Sequence, residues 1–212
     1  ADYPRALEYY CKALVINEEL GNKSRVAINT GNIGSVYKEL SDYPRALEYY
    51  HKALAINEEL GNKSRVAITT SNIGPVYRHL SDYPRALEYF HKALVLFEEL
   101  GNKKGVAANI GNTGNVYADI SDYPRALECF RKALALAEEI GNKSRVVIWT
   151  GNIGNVYYYL SDYPRALKYM QRALVMDEEL GNKSGVARHI GNIGALYAKE
   201  EFEGYVCAKA VQ

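Results

Sequence analysis

Cysteine is scarce and badly spaced for cross-linking. Cys11, Cys129 and Cys207 are odd in number and far apart, which fits neither a disulfide framework nor a zinc-ligand pattern and points to a reducing, cytoplasmic compartment. Charge of one sign is also lacking. Twenty-six Lys and Arg residues face twenty-five Asp and Glu residues, a net charge of +1, so no bulk field draws the chain to nucleic acid or to an anionic membrane. No apolar run approaches the roughly 18 residues of a membrane span. The first residues, Ala1, Asp2, Tyr3 and Pro4, lack the basic stretch and apolar core of a signal peptide. What is present is globular in composition: 212 residues, 48% hydrophobic and 24% charged, which excludes a disordered chain.

The dominant feature is repetition. DYPRAL recurs from Asp2, Asp42, Asp82, Asp122 and Asp162, a strict period of 40 residues, and GNK recurs in step from Gly21 to Gly181. A period of this size marks an array whose units bury their apolar faces on one another. Within one period, Val66, Ile73, Val76, Tyr77 and Leu80 fall at helical spacing, and so do Ala86, Leu87, Phe90, Ala93, Leu94 and Phe97. Each period therefore predicts two amphipathic helices, A from about Lys63 to His79 and B from about Tyr83 to Leu100. Asp82 and Pro84 suit the start of helix B, Gly101 its end, and Asn102 the cap of the next helix A. Short connections make neighbouring helices antiparallel. The array reads B-(AB)4-A over residues 1–200, with residues 201–212 as a worn helix B, a short cap or a tail.

Ile33-Gly34-x2-Tyr37, followed by Ala46, Tyr50 and Ala53, resembles the signature of the tetratricopeptide repeat (TPR), and all five periods carry it in some form. Two features depart from the family: the period exceeds the usual ~34 residues, and Glu58 stands where a proline commonly ends helix B. Such lengthened repeats resemble those of Pins/LGN-type adaptors and kinesin light chains. The resemblance implies an all-α fold, a right-handed superhelical solenoid of antiparallel pairs with about eleven helices. It further implies that the A helices line a concave groove.

The internal copies identify what varies. Helix A changes most in the columns headed by Arg25 (Arg65, Gly105, Arg145, Gly185), Ile28 (through Arg188), Asn29 (Thr69, Asn109, Trp149, His189) and Ser35 (Pro75, Asn115, Asn155, Ala195). Their spacing places them on one broad face, which the resemblance makes the groove. Helix B changes chiefly at Cys11, His51, His91, Arg131, Gln171 and at Asn17, Asn57, Phe97, Ala137, Asp177, columns assigned to the convex side.

Through the variable face runs an unvarying asparagine: Asn32, Asn72, Asn112, Asn152 and Asn192. An amide both donates and accepts, so such a ladder can bind a peptide backbone, and it can equally bond to a neighbouring helix. In the resembled family this position takes part in peptide binding, including carboxylate clamps, but the clamp's accompanying Lys and Arg are not reproduced in matching columns. Arg25, Arg65, Arg145 and Arg188, with Lys38, Arg78 and Lys199, outnumber Glu39 and Asp119 on this face, which favours an acidic protein or peptide partner. Trp149, Tyr158 and Tyr159 replace polar residues in equivalent columns, either as contact area for a partner or as packing. Pro75 interrupts the hydrogen-bond ladder of its helix A and predicts a local kink.

The histidines form no metal constellation, since His51 and His91 share one column a repeat apart, and G-N-x-G lies within a helical pattern without a preceding strand. No cofactor and no enzyme activity are expected. The expectation is a non-enzymatic interaction scaffold. The alternative is a structural solenoid that self-associates end to end through unpaired terminal helices.

Overall fold

The computed structural model describes residues 2–199, which form ten α-helices: α1 (Tyr3–Glu19), α2 (Lys23–Glu39), α3 (Tyr43–Glu59), α4 (Lys63–His79), α5 (Tyr83–Glu99), α6 (Lys103–Asp119), α7 (Tyr123–Glu139), α8 (Lys143–Tyr159), α9 (Tyr163–Glu179) and α10 (Lys183–Tyr197). The odd-numbered helices are the B type and the even-numbered ones the A type. An eleventh helix, expected from residues 201–212, and Cys207 lie outside the described residues. None of the described helices is long and apolar enough to cross a membrane.

Each start and stop follows from local chemistry. The Asp42 carboxylate accepts the Arg45 backbone N–H at 3.1 Å, and Asp2, Asp82, Asp122 and Asp162 repeat the bond. Proline in the first turn forfeits no helical bond. Asn22, Asn62, Asn142 and Asn182 cap A helices in the same way. Gly21 and its four counterparts close helix B at a φ of 63–66°, where a Cβ is unfavourable. The turn from A to B uses serine in that same left-handed region, Ser41 at φ 59° and likewise Ser81, Ser121 and Ser161.

The chain divides into two compact units, Ala1–Val116 and Tyr117–Gln212. In the first, Ala46, Tyr50, Ile73, Val76, Ala86, Phe90 and Val116 form a buried cluster that joins α3 to α6. The small residues of the signature set how near the helices come. A methyl group on Gly74 would lie 2.4 Å from the Phe90 ring, so α4 and α5 touch where only glycine fits. In the second unit, Phe130, Ile153, Val156, Ala166, Met170 and Ala173 are buried in equivalent positions. The Tyr37, Tyr77, Tyr117 and Tyr157 rings each carry an arginine from the next helix B, Arg45, Arg85, Arg125 and Arg165, with the guanidinium 4.3–4.5 Å from the ring centroid. These arginines also pair with the capping Asp42, Asp82, Asp122 and Asp162. Side-chain chemistry thus ties each A–B corner in two ways.

α4 runs from Lys63 to His79 with Pro75 inside it. Helix B positions headed by Asn17 are not outward-facing as the sequence suggested: Asn57, Phe97, Ala137 and Asp177 are all buried. Phe97 and Asp177 pack against Gly105 and Gly185 of the helix A that follows. The column headed by Cys11 is exposed throughout.

Candidate functional site

The variable columns of helix A separate into two faces. The columns headed by Arg25, Ile28, Asn32 and Ser35 recur every three or four residues and form a stripe that is mostly exposed or half-buried. The column headed by Asn29 lies one step around the helix and turns inward. Thr69, Asn109, Trp149 and His189 are buried, which removes this column from the expected groove. Asn109 is held by a bond to the Gly105 carbonyl at 2.9 Å and by the Ser71 hydroxyl, which donates to its Oδ1 at 3.1 Å.

Trp149 is therefore a packing residue, not a contact for a partner. It is 1% exposed, its ring centroid is 5.9 Å from that of Phe130, and the Arg145 guanidinium covers it at 5.6 Å. Arg145 is half-buried in doing so. Arg25, Arg65 and Arg188 are exposed. Asn72 is exposed, while Asn32, Asn112, Asn152 and Asn115 are half-buried.

Sequence reading missed a correlated change. Where helix B carries Asn57 or Ala137, the next helix A carries Arg65 or Arg145; where it carries Phe97 or Asp177, helix A carries Gly105 or Gly185. The reason is steric. A methyl group on Gly105 would stand 2.4 Å from the Phe97 ring, and one on Gly185 would stand 2.0 Å from Asp177 Oδ2. The three columns headed by Asn17, Arg25 and Asn29 are one packing unit, and their joint variation across the five copies is the signal that reveals it.

At the last of these junctions, Asp177 Oδ2 lies 3.2 Å from His189 Nε2, with both side chains 2% exposed. Burial, then the nearby Arg188 charge, holds the His189 imidazole below its ordinary value, while Asp177 acts in the opposite direction. The elements packed around this ring present Asp177 from α9, Arg188 from α10 and the uncharged Gly151 from α8. An unfolded histidine takes its proton first, near pH ~6.5. Stability from this group is complete above that pH and is lost as pH falls through the lower folded value. Hydrogen-exchange protection in α9 and α10, after division by the intrinsic exchange rate at each pH, is expected to fall below pH ~6.5, and His189→Gln is expected to flatten that dependence.

The exposed stripe of the second unit brings four of the expected residues together. Asn155, Tyr158, Tyr159 and Asn192, with Met170 and Ala195, line a cavity of about 160 Å³. Asn192 Nδ2 donates to Asn155 Oδ1 at 3.1 Å, a bond between successive A helices. Tyr159 is 65% exposed and stacks on Tyr123 at 5.9 Å. Tyr158 meets Tyr159 edge-on at 5.6 Å and Lys199 lies 5.5 Å from the Tyr158 ring centroid. The cavity is smaller than the ~300–1,000 Å³ of a drug-sized ligand site. Its size suits one side chain of a larger partner, framed by aromatic area and amides. Among the described residues no group of three or more His, Cys, Asp and Glu could hold a metal ion.

Known folds with this arrangement are plentiful. BtubC (BKLC) from P. vanneervenii matches with a TM-score of 0.79 at 19% identity, covering 93% of this chain and 84% of that one. Aspartyl phosphate phosphatase F from Bacillus subtilis gives 0.83 at 18% identity over 95% and 52%. The apo form of RapI gives 0.79 at 20% over 95% and 56%. The chain thus spans about half the length of the last two proteins. A Rap protein complexed with competence and sporulation factor gives 0.67 at 16% identity, covering 92% of this chain and 59% of that one. No curated protein matches the chain in sequence. One family model described as tetratricopeptide repeat matches residues 1–59 and 65–139, and a second with the same description matches residues 112–181. With helices, corner chemistry and family models in agreement, the chain belongs to the tetratricopeptide repeat family.

Proposed function

We propose that this chain is a non-enzymatic protein–protein interaction scaffold, and that the exposed stripe of its A helices holds an extended segment of a partner. The observation that carries the reading is the cavity between Asn155, Asn192, Tyr158 and Tyr159. The bond from Asn192 to Asn155 uses one donor and one acceptor and leaves the Asn155 amide N–H and the Asn192 carbonyl for a peptide group. The tyrosines supply area at small entropic cost. A similar fold has been solved with competence and sporulation factor bound, which supports the occupancy of such a fold by a partner. Exposed Arg25 and Arg65 in the first unit and Arg188 in the second favour acidic sequences.

A peptide array probed with the wild-type chain and with an Asn155→Ala/Asn192→Ala double variant tests this. Truncating both amides is expected to weaken the best peptides roughly tenfold, the worth of one or two hydrogen bonds. Affinity for acidic peptides is expected to fall as salt rises. Binding that the double variant leaves unchanged removes these amides from the mechanism.

A further inference from the structure

Glycines of the A helices form notches that receive the helix B that follows. A methyl group on Gly34 would stand 3.0 Å from the Tyr50 ring and 3.2 Å from the Ala46 carbonyl oxygen, one on Gly74 would stand 2.4 Å from Phe90, and one on Gly154 would stand 3.1 Å from Met170. Gly31, one turn earlier than Gly34, faces Ala53 at 3.8 Å in the same sense. Ala46, Tyr50, Ala53, Phe90 and Met170 are each 1% exposed or less as a result.

Both halves of this contact recur on the surface. On α10 the notch is open: among the described residues nothing comes within 4 Å of a methyl group placed on Gly191 or Gly194, and both glycines are exposed. Its flanks are exposed with it. Ala187 is exposed where Ala27, Ala67 and Val147 are buried, and Ile190 is 55% exposed where Thr30, Thr70 and Thr150 are buried. On α1, Ala6, Tyr10 and Ala13 are the counterparts of Ala46, Tyr50 and Ala53, yet all three are only half-buried. Tyr9, Ile16 and Leu20 beside them are exposed.

The two faces are made for each other because the chain already contains their contact. Residues 2–14 repeat residues 42–54 with the single exchange of Cys11 for His51, and Gly191-Asn192-Ile193-Gly194 repeats Gly31-Asn32-Ile33-Gly34. The seat that α2 offers to α3 is therefore present again on α10, and the surface of α3 that fills it is present again on α1. Exposed apolar faces of this kind mark interaction sites, and the occupant that fits both is the same chain.

We propose that α10 of one copy of this chain seats on α1 of a second copy, with Ala6 and Tyr10 against Gly194 and Ala13 against Gly191. The two faces differ, so the contact is heterologous: a dimer still presents one α1 face and one α10 face, and growth continues. Without the covalent corner that joins α2 to α3 the contact pays association entropy, so assembly is expected to rise with concentration. Neither Asn155 nor Asn192 is among these contacts, so assembly and peptide binding can fail separately.

Sedimentation velocity over a concentration series reads the outcome. The mean mass of the 212-residue chain is expected to rise beyond that of a dimer and to keep rising in high salt, because the contact is apolar and is not screened. Gly194→Glu fills the notch and Ala6→Glu places a charge on the surface that enters it. Each variant alone is expected to stay monomeric, whereas an equal mixture of the two is expected to form a one-to-one dimer that grows no further, since only one intact pair of faces remains. Both should fold. Gly194 has open space among the described residues and glutamate is a better helix former than glycine, while an acidic residue near the start of α1 suits the helix dipole; circular dichroism verifies each. A wild-type chain that stays monomeric at millimolar concentration overturns the proposal, as it would if residues 201–212 of the same chain took the α10 face. Assembly that either variant retains overturns it too, and so does a mixture of folded variants that yields no dimer.

Discussion

Trp149→Ala is expected to destabilise the second unit by about 3–5 kcal/mol, the usual cost of truncating a fully buried aromatic. Trp149 is among the largest fully buried side chains described. Its loss removes the contact with Phe130 and the platform beneath Arg145. The surrounding helices are held by their own caps and cannot collapse freely into the space, so a cavity term adds to the transfer term. Part of the cost is offset, because the indole Nε1 is buried without a hydrogen-bond partner and its removal relieves that group. Repeat arrays do not always unfold in one step. Urea unfolding followed by far-ultraviolet dichroism should therefore be joined by hydrogen exchange in α7 and α8, where the loss is expected to concentrate. A loss below about 1 kcal/mol would place the ring outside the load of packing that its burial indicates.

Pro75→Ala works in the other direction and is expected to stabilise α4 by up to about 3 kcal/mol, the difference between the two residues in a helix interior. Proline at this position deprives the Ser71 carbonyl of its helical partner and presses its ring on the preceding turn. Alanine already stands at the corresponding position in α10, as Ala195, so the backbone of an A helix accepts it. Urea unfolding of the first unit should shift to higher concentration, and the α4 amides should exchange more slowly. An unchanged midpoint would mean that neighbouring side chains have adapted to the ring and offset its cost.

Most of the fold was legible because the sequence states it five times. Asp82, Pro84, Gly101 and Asn102 punctuate the helices where simple capping rules place them, and the apolar spacing gives the face each helix buries. The serine turns were not legible, because Ser41 in the left-handed region follows from the tertiary demand for a tight corner and not from a residue preference. The candidate site was half legible. Asn155, Tyr158, Tyr159 and Asn192 meet as their shared face suggests. Trp149 does not join them, because periodicity alone cannot distinguish the outer edge of a helical face from a column turned one step inward. Polarity misled as well: Asn109, Asp177 and His189 are polar, variable and buried. Comparing helix B with the helix A that follows it, column against column, would have exposed the size exchange between Phe97 and Gly105.

That exchange decides which length of chain can be copied or shuffled without damage. Asp177 on one helix needs Gly185 on the next, and Phe97 needs Gly105, so matched partners straddle the boundary between one A–B hairpin and its successor. A crossover that falls inside the B-to-A corner separates them and mates an arginine with a phenylalanine. One that falls in the A-to-B corner, beside the left-handed serine, transmits each matched set intact. The heritable brick of this family member is therefore the B–A pair, offset by one helix from the hairpin that its motif defines.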